Sequence, residues 1–377
     1  MAANATTTTE TTKLRFAICG CAAIAKKNAV AIGRSSTCEL VAVASRSKAK
    51  AEAFCAELKL GDEVARVEEY ETLLLEESSS FDAVYLPLPT STHATWVRKF
   101  AEAGKHVIVE KPVGVTIEEV RDMVKCCREH GVALMDGTMF AHHERFKAMT
   151  QLFEDRLHWI PSRVTSAFTF YGGPDFLAKG NIRTRADGDP LGCLGDVGWY
   201  CLRLGLCAFR YERPEAVVAR VHDQSDEGVP FDMDCDVYFA GGRLLTLHCS
   251  FKHHFRQWFE AVSVDPRYGA RVVRCDDFVI PTREQVCSFA VDEIPNQQTI
   301  DYDTVCCRSS VTLPFYGVCQ EKNMFDAFAT DLVSGSQSRR FFERATLHTS
   351  DLIQAVLDSA RDGGKRVSPV PWSDDDA

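Results

Sequence analysis

The sequence lacks both a long hydrophobic run and a secretion signal. No stretch of about eighteen consecutive apolar residues occurs in its 377 positions, so a membrane-spanning helix is not expected. Residues 1–12 are rich in alanine and threonine and contain no apolar segment of the signal-peptide type. We therefore expect a disordered segment over 1–12, no membrane partner, and a cytoplasmic protein.

The sequence also lacks an excess of positive charge. Its 43 lysines and arginines are outnumbered by 53 aspartates and glutamates, which gives a net charge of −10 at pH 7. A protein that binds duplex nucleic acid needs a basic surface that displaces counterions from the phosphates. The composition therefore argues against nucleic acid as a partner.

The 16 cysteines lack the spacing of a disulfide framework or of a zinc site. No Cys-x-x-Cys motif and no paired cysteine and histidine spacing occurs. The cysteines lie within strand-like runs, as Cys19 and Cys249 do, or side by side, as in Cys306-Cys307. We expect reduced and mostly buried thiols, a reducing compartment, and no metal site.

Residues 13–138 alternate between short apolar runs and helical patterns. This alternation indicates βαβ crossovers and a parallel sheet. The predicted strands are Leu14–Cys19, Glu39–Ala44, Asp82–Leu86, Val107–Val109 and Val132–Met135, and the predicted helices are Ala22–Ile32, Lys48–Leu58, Thr92–Ala103 and Ile117–Glu129. Thr116 is the predicted N-cap of the last helix. The pattern predicts a doubly wound α/β domain over 13–138.

Residues 139–377 have a different pattern, in which strand-like segments follow one another. These segments are Arg163–Phe170, Ala216–Val221, Cys235–Phe239 and Arg243–Phe251, and helices are expected at 141–155, 192–208, 322–333 and 345–362. Ala240-Gly241-Gly242 between two of the strands is typical of a hairpin. Leu245 and Leu247 alternate with polar residues, which indicates a sheet with one apolar face. The second domain is predicted to be α+β, with an open, mostly antiparallel sheet.

A turn of small residues follows the first predicted strand. It reads Gly20-Cys21-Ala22-Ala23-Ile24-Ala25 and resembles the dinucleotide-binding fingerprint G-x-G-x-x-G/A, with alanine at the second glycine. Amides at a helix N-terminus attract phosphate, and small residues let it approach the backbone. The residues expected to hold a dinucleotide pyrophosphate are Gly20, Ala22, Ala23, Ile24 and Ala25.

The end of the second predicted strand indicates which dinucleotide is bound. NAD-binding folds usually place an acidic residue there to accept a hydrogen bond from the ribose. This chain has Ser45 and Arg46 instead, with Lys50 one turn later. A hydroxyl and cationic side chains suit a 2′-phosphate, so we predict NADP rather than NAD. The alternative is that Arg46 and Lys50 are solvated charges at the start of a helix.

A proline-rich segment, Pro87-Leu88-Pro89-Thr90, follows the third predicted strand. Because proline does not continue a central strand, the chain turns here at the carboxyl edge of the sheet. We expect Leu88, Pro89 and Thr90 to contact the cofactor. His93 follows on the next helix and either faces the nicotinamide or ribose or bonds locally; the sequence favours neither.

The strand Val107–Val109 ends on Glu110-Lys111-Pro112, a charged pair and a proline. The carboxyl edge of an open α/β sheet is where such folds bind ligands, so we expect Glu110 and Lys111 to contact the cofactor. Lys111 there can bind a substrate hydroxyl or carbonyl and lower the pKa of a neighbouring acid. A salt bridge between Glu110 and Lys111 is the alternative, but adjacent residues of an extended chain point in opposite directions.

A second group of polar residues occurs in Gly195-Asp196-Val197-Gly198-Trp199-Tyr200. Asp196 and Tyr200 are four positions apart and would share one face of a helix. A tyrosine beside a lysine ammonium can act as a general acid or base, because the cation stabilises its phenolate. The alternative is that Tyr200 is a core aromatic whose hydroxyl is bonded locally.

Together these motifs resemble the Gfo/Idh/MocA (glucose–fructose oxidoreductase/inositol dehydrogenase) family of NAD(P)-dependent oxidoreductases. The resemblance covers nearly the whole chain. It is carried by the turn at Gly20, the segment Pro89–His93, the Glu110-Lys111-Pro112 motif and Gly195-Asp196-x-Gly198-x-Tyr200. Many members have histidine at the position of Tyr200. With tyrosine at this position, the chain resembles the subgroup that includes dimeric dihydrodiol dehydrogenase and NADP-dependent D-xylose 1-dehydrogenase.

The resemblance implies a Rossmann domain followed by a C-terminal α/β domain whose open sheet joins two copies into a homodimer. It also implies hydride transfer between NADP and a hydroxyl or carbonyl of a sugar, polyol or trans-dihydrodiol. Tyr200 would then be the general acid or base, Lys111 its pKa partner, and Asp196 an orienting group, while Arg183 enters the substrate site. Two other functions stay open: a non-catalytic NADP-binding regulatory sensor, and a cofactor-retaining isomerase or glycosidase.

Overall fold

The structure of this chain is a computed structural model. It describes residues 13–178, 180–265, 267, 269–283, 286–294, 309–317, 319–334, 337–370 and 372. The expected disorder of 1–12 and the pair Cys306-Cys307 lie outside the described residues. Every cysteine within them is a free thiol, and most are buried, as predicted. None of the helices in these residues is long and apolar enough to cross a membrane.

Six parallel strands form the first sheet. They are β1 (Leu14–Cys19), β2 (Cys38–Ser45), β3 (Ala65–Glu68), β4 (Ala83–Leu86), β5 (His106–Val109) and β6 (Leu134–Asp136). Their order is β3-β2-β1-β4-β5-β6, in which the chain reverses direction across the sheet between β1 and β4. The predicted doubly wound sheet is confirmed. The sequence did not predict β3, because this edge strand is short and buries little more than Val67.

The connections between these strands are helical. They are α1 (Ala23–Gly33), α2 (Lys48–Glu57), α3 (Tyr70–Leu75), α4 (Thr90–Glu102) and α5 (Ile117–Glu129). The α5 helix begins where predicted, because the Thr116 hydroxyl accepts a hydrogen bond from the Glu119 amide at 3.3 Å. The α4 helix begins at Thr90 rather than at Thr92.

Eight strands form the second sheet. They are β7 (Pro161–Tyr171), β8 (Ala216–Gln224), β9 (Pro230–Phe239), β10 (Arg243–Ser250), β11 (Lys252–Asp265), β12 (Gly269–Cys275), β13 (Val286–Ile294) and β14 (Ser309–Tyr316). Their order is β14-β13-β12-β11-β7-β10-β9-β8. Only the β7–β10 pair is parallel, so the prediction of an open, mostly antiparallel sheet is confirmed.

The sequence did not predict the four strands from β11 to β14. The first residues of β11, at 252–256, are all exposed, so the apolar alternation of a half-buried strand is absent there. The β14 strand at the sheet edge also exposes Val311, an apolar residue. Apolar alternation predicts a strand only where one face of the strand is buried. These segments do not have a buried face throughout their length.

The helices of the second half differ in detail from the prediction. They are α6 (Glu144–Glu154), α7 (Gly173–Leu177), α8 (Trp199–Ala208), α9 (Gln320–Ser334) and α10 (Gln337–Arg361). A single 3-10 turn, Met139–His142, precedes α6, and a π-helical turn, Leu194–Gly198, precedes α8. The predicted helices at 141–155 and 192–208 therefore each contain two elements.

The two C-terminal helices return to the first sheet. The Phe325 ring of α9 packs edge-on against Phe16 of β1, with ring centroids 5.1 Å apart. On the same helix, the buried Glu321 carboxylate lies 2.9 Å from the Lys27 ammonium of α1. Glu343 of α10 pairs with Arg128 of α5 at 3.0 Å. Residues from the end of the chain thus complete the core around its beginning.

A buried ion pair joins the two sheets. The Arg203 guanidinium of α8 lies 2.6 Å from the Asp136 carboxylate at the end of β6, and these side chains are only 2% and 3% exposed. Arg203 also donates to Thr349 of α10 at 2.7 Å, and the Thr346 hydroxyl donates to Asp136. Burial raises the pKa of Asp136, but Arg203 outweighs it, so the pKa lies below its ordinary value.

We predict that Arg203→Met lowers the free energy of unfolding by about 3–5 kcal/mol, because it leaves a buried carboxylate without its cation. Chemical denaturation measures this loss. The loss of unfolding free energy should be largest at neutral pH. It should become smaller as the pH falls and Asp136 gains a proton. Arg361→Met is the control, because Arg361 is 72% exposed and should change stability by less than about 0.5 kcal/mol. A similar loss in both variants would contradict the prediction.

Candidate active site

The turn after β1 brings the backbone to the carboxyl edge of the first sheet. Gly20 adopts a φ of +120°, and a Cβ atom there would lie 2.8 Å from Cδ2 of Leu88. The Gly20 amide donates to the Ala44 carbonyl at 2.9 Å, which fixes the turn against β2. Only glycine satisfies this backbone angle and this contact without strain.

The α1 helix begins at this turn with its N-terminus uncapped. Ala22 is the N-cap residue and offers no side-chain acceptor to the first amides. Ala23 is exposed, Ile24 is half-buried and Ala25 is buried, so the small side chains cover the start of the helix only partly. The arrangement fits a pyrophosphate that accepts hydrogen bonds from the free amides.

The residues predicted to choose the cofactor lie beside this turn. Ser45 ends β2 and is buried, whereas Arg46 and Lys50 are exposed. Tyr70, which the sequence analysis did not single out, is also close to this group. Burial raises the pKa of Tyr70 to about 12, and the Arg46 charge opposes the rise. The Tyr70 ring packs edge-on against Trp96 at 5.2 Å, so its position is fixed.

The Pro89–His93 segment contacts other parts of the protein. The Thr90 amide and hydroxyl both donate to one Asp189 oxygen, at 2.9 and 2.7 Å. His93 is 1% exposed. Its Nδ1 lies 3.1 Å from the Pro112 carbonyl, and its Nε2 lies 2.8 Å from the Leu88 carbonyl. The expectation that His93 faces the nicotinamide is therefore not supported, and local bonding describes its contacts.

Glu110 directs its carboxylate into the first sheet. Its Oε1 accepts from the Tyr85 hydroxyl at 2.5 Å, and Tyr85 in turn accepts from the Asn28 amide at 2.5 Å. Burial raises the pKa of Glu110, while the Tyr85 hydrogen bond and the Lys111 charge oppose the rise. The contacts of Glu110 are thus internal. Asn28 and Tyr85 hold its carboxylate in place, and no pattern in the sequence marks these two residues.

Lys111 points away from Glu110 and reaches the second half of the chain. Its Nζ lies 2.9 Å from Oδ1 of Asp196 and donates to the Asp196 carbonyl at 2.5 Å. The two side chains are 11% and 21% exposed. Lys111 therefore pairs with Asp196 and not with Glu110, which was the alternative.

Both members of this pair are charged. Burial lowers the pKa of Lys111, but the Asp196 carboxylate outweighs it, and the pKa lies above its ordinary value. Burial raises the pKa of Asp196, but Lys111 and Arg183 outweigh it, and the pKa lies below its ordinary value. The Arg183 Nε is 3.4 Å from the second Asp196 oxygen, and Arg183 is half-exposed. Asp196 therefore holds two cations at the site.

Tyr200 lies beside the ammonium on the first turn of α8. The Lys111 Nζ is 4.8 Å from the centroid of its ring, and the Tyr200 hydroxyl contacts the Met139 sulfur at 3.6 Å. The ring packs against Phe140 and Phe168, with centroids 5.8 and 5.7 Å away. Burial raises the pKa of Tyr200, and Lys111 only partly offsets it, so the phenol is protonated at neutral pH.

The structure therefore brings together Lys111, Asp196, Tyr200 and Arg183. The turn from Gly20 to Ala25 lies at the same sheet edge as the strand end that carries Lys111. The side chains of Thr90, His93 and Glu110 bond elsewhere in the protein. Together the edge and the buried charged pair define a candidate site at which the first sheet meets the second half of the chain.

Comparison with known proteins identifies the family. A family model described as an oxidoreductase family with an NAD-binding Rossmann fold (GFO_IDH_MocA) matches residues 14–138. D-xylose 1-dehydrogenase (NADP(+)) 2 from Haloferax volcanii is 31% identical over 76% of this chain and 84% of its own length. The dTDP-3,4-didehydro-2,6-dideoxy-α-D-glucose 3-reductase of Saccharopolyspora spinosa is 32% identical over 66% of this chain and 71% of its own. The chain belongs to the Gfo/Idh/MocA oxidoreductase family, as the sequence predicted.

Solved structures share the whole fold. The 3-ketoreductase KijD10 from Actinomadura kijaniata, solved with NADP and TDP-benzene, has a TM-score of 0.77 at 24% identity and covers 93% of this chain and 98% of its own. An aldose–aldose oxidoreductase from Caulobacter crescentus, solved with glycerol, has a TM-score of 0.77 at 20% identity and covers 95% and 100%. These similarities extend across both sheets and confirm the fold class.

We predict that Gly20→Ala weakens dinucleotide binding about tenfold or more. The left-handed backbone would cost about 1–3 kcal/mol, and the turn must move to release the contact with Leu88. Fluorescence titration with NADPH and with NADH measures the affinity. Gly104→Ala is the control, because Gly104 also has a positive φ, +72°, but a Cβ there would meet nothing within 4 Å. Equal losses of affinity in the two variants would contradict the role of this turn.

Proposed function

We propose that this chain is an NADP(H)-dependent oxidoreductase. It would move hydride between the nicotinamide and a hydroxyl or carbonyl carbon of a sugar, polyol or trans-dihydrodiol. The observation that carries the proposal is the Lys111 ammonium, which contacts Asp196 and lies against the Tyr200 ring. A regulatory sensor needs only a cofactor pocket. A buried charged pair beside a buried phenol is costly to maintain, and it favours an enzyme.

The residues at the edge of the first sheet fit NADP. The turn at Gly20 and the uncapped start of α1 would hold the pyrophosphate. Beyond them, the exposed Arg46 and Lys50 would hold the 2′-phosphate, where a carboxylate would repel it. The Haloferax relative is named as NADP-dependent, which agrees with this choice. When bound, the cofactor accepts or supplies the hydride.

Tyr200 would move the proton that accompanies the hydride. In reduction, its hydroxyl donates a proton to the carbonyl oxygen while the carbonyl carbon gains hydride. In oxidation, its phenolate removes the hydroxyl proton while the C–H bond breaks. Lys111 lowers the pKa of the phenol, and Asp196 holds Lys111 in place. Because the phenol is protonated at neutral pH, the free enzyme can donate this proton in carbonyl reduction, whereas oxidation requires the phenolate.

Aromatic side chains beside Tyr200 favour a cyclic substrate. The Phe168 ring packs against Tyr200, and the Phe255 ring, which is largely exposed, lies 6.2 Å from Phe168. The apolar face of a pyranose or of a cyclic diol can pack on such rings while its hydroxyls face the polar groups. Arg183, exposed beside Asp196, would bind a further substrate oxygen.

The proposal is tested by turnover with D-xylose, D-glucose and cyclic trans-diols, and with the corresponding carbonyl compounds, in the presence of NADP(H). We predict that Tyr200→Phe lowers kcat about 10²–10⁴-fold, because the phenol oxygen is the proton donor and acceptor. Lys111→Met should lower kcat as well, and it should shift the pH profile of oxidation to higher pH, because the cation no longer lowers the pKa of Tyr200.

Tyr316→Phe is the matched control for these variants, because Tyr316 is exposed on the edge strand β14 and its hydroxyl should not affect turnover. Full activity in both Tyr200→Phe and Lys111→Met would overturn the mechanism. Cofactor binding without turnover of any compound in the panel would favour the regulatory sensor. Product formation with no net change in nicotinamide absorbance would favour the cofactor-retaining isomerase or glycosidase.

We also propose a homodimer through the eight-stranded sheet. Large apolar side chains are exposed on its strands, among them Tyr171, Val264 and Val311, and such groups mark interaction surfaces. Light scattering on the purified protein in solution should give a mass of twice the chain mass of 42.0 kDa. Val264→Glu should shift the protein towards the single-chain mass, and a wild-type mass of one chain would reject the dimer.

A further inference from the structure

The β9 strand carries a row of aspartates on one face. Asp232, Asp234 and Asp236 alternate with Met233 and other buried apolar residues, so the carboxylates lie on the side of the sheet away from its core. Like charges this close repel one another unless each has a partner. This face is separate from the site at Lys111 and takes no part in the proposed hydride transfer.

Each carboxylate has a partner on a neighbouring strand. Asp236 accepts from the Thr246 hydroxyl at 2.7 Å, and Asp234 lies 2.8 Å from Nε2 of His222. Asp232 differs from the other two because two histidines share it. Its Oδ1 is 2.8 Å from Nε2 of His248, and its Oδ2 is 3.3 Å from Nε2 of His253.

Two imidazoles and a carboxylate form a ligand set that zinc-type ions prefer. One ligand atom from each of Asp232, His248 and His253 lies within 4.8 Å of the others. In a tetrahedral zinc site with bonds of about 2.0–2.1 Å, neighbouring ligand atoms are roughly 3.3 Å apart. The Asp232 oxygens are 2.8 Å from Nε2 of His248 and 3.3 Å from Nε2 of His253, so the carboxylate already lies at about this spacing from both imidazoles.

The surroundings also suit a cation. Asp232 is only 15% exposed, and its two oxygens face the two imidazoles. Asp234, opposite His248 in the β9–β10 pairing, adds negative charge. The nearest lysine on the β11 strand, Lys252, is paired with Asp223. His253 is half-exposed, at 50%, so water can reach a fourth ligand position.

We propose that Asp232, His248 and His253 bind one zinc-class divalent ion, with water as the fourth ligand. The ion would join β9 to β10, which carries His248, and to the start of β11, which carries His253. Cys249, next to His248, points to the opposite face of the sheet, so the ion would lie on the other side of the sheet from the candidate active site. A Cβ on Gly198, in the π-helical turn that carries Asp196, would lie 3.1 Å from the Cys249 sulfur.

The test uses the full chain, stripped with a chelator and titrated with Zn²⁺ alone by calorimetry. We expect one ion per chain and a rise in melting temperature on binding. Co²⁺ in place of Zn²⁺ should give the intense visible absorption of a four-coordinate site. His253→Gln and His248→Gln should each weaken Zn²⁺ binding tenfold or more. His254→Gln is the matched control, because this neighbour is outside the cluster and should leave the affinity unchanged.

Two results would overturn the proposal. One is the absence of stoichiometric Zn²⁺ binding, which would make the cluster a hydrogen-bonded group only. The other is an equal loss of affinity in His253→Gln and His254→Gln, which would place the ion elsewhere. His253→Gln alone is sufficient for the second comparison if His248→Gln does not fold. Both readouts are independent of enzyme activity, so they stand whether or not the proposed reaction is correct.

Discussion

The contact between Lys111 and Asp196 is the constraint on which the candidate active site depends. It joins the carboxyl edge of the first sheet to the π-helical turn beside the second, at a distance of 2.9 Å and largely away from water. Neither charge is stable there alone, because burial penalises an isolated ion far more than a hydrogen-bonded pair. Asp196 lies in the π-helical turn, and Tyr200 lies in α8, which follows that turn directly. The pair therefore fixes where Tyr200 lies relative to the carboxyl edge of the first sheet.

Three aspartates are among the groups that join the two halves of the chain. Asp189 accepts from Thr90, Asp196 pairs with Lys111, and Asp136 pairs with Arg203. In each case a polar group of one half bonds to a group of the other. Hydrophobic packing would tolerate sliding between the sheets, whereas these directional bonds do not. The geometry at the carboxyl edge of the first sheet is thus tied to the packing of the second half of the chain.

The sequence predicts elements well where physical periodicity is strong, as in the βαβ alternation and in the N-cap at Thr116. It also singled out Lys111, Asp196 and Tyr200, which the structure brings together, while their catalytic roles stay a prediction. It could not decide where His93 and Glu110 point, since a side chain at the end of a strand or the start of a helix can turn either way. The cluster of Asp232, His248 and His253 had no sequence signal, because register across separate strands brings its members together.

Burial gives Tyr200 two properties at once. The rings of Phe140 and Phe168 hold it in one orientation, and the same apolar surroundings disfavour the phenolate. The Lys111 ammonium lies against the ring and favours the phenolate. It leaves the orientation of the ring unchanged. A substrate oxygen that replaced the Met139 sulfur as the partner of the hydroxyl would offer a far stronger acceptor. The phenol is therefore rigid and protonated, and in the proposed reaction its donation of a proton would require little reorganisation around it.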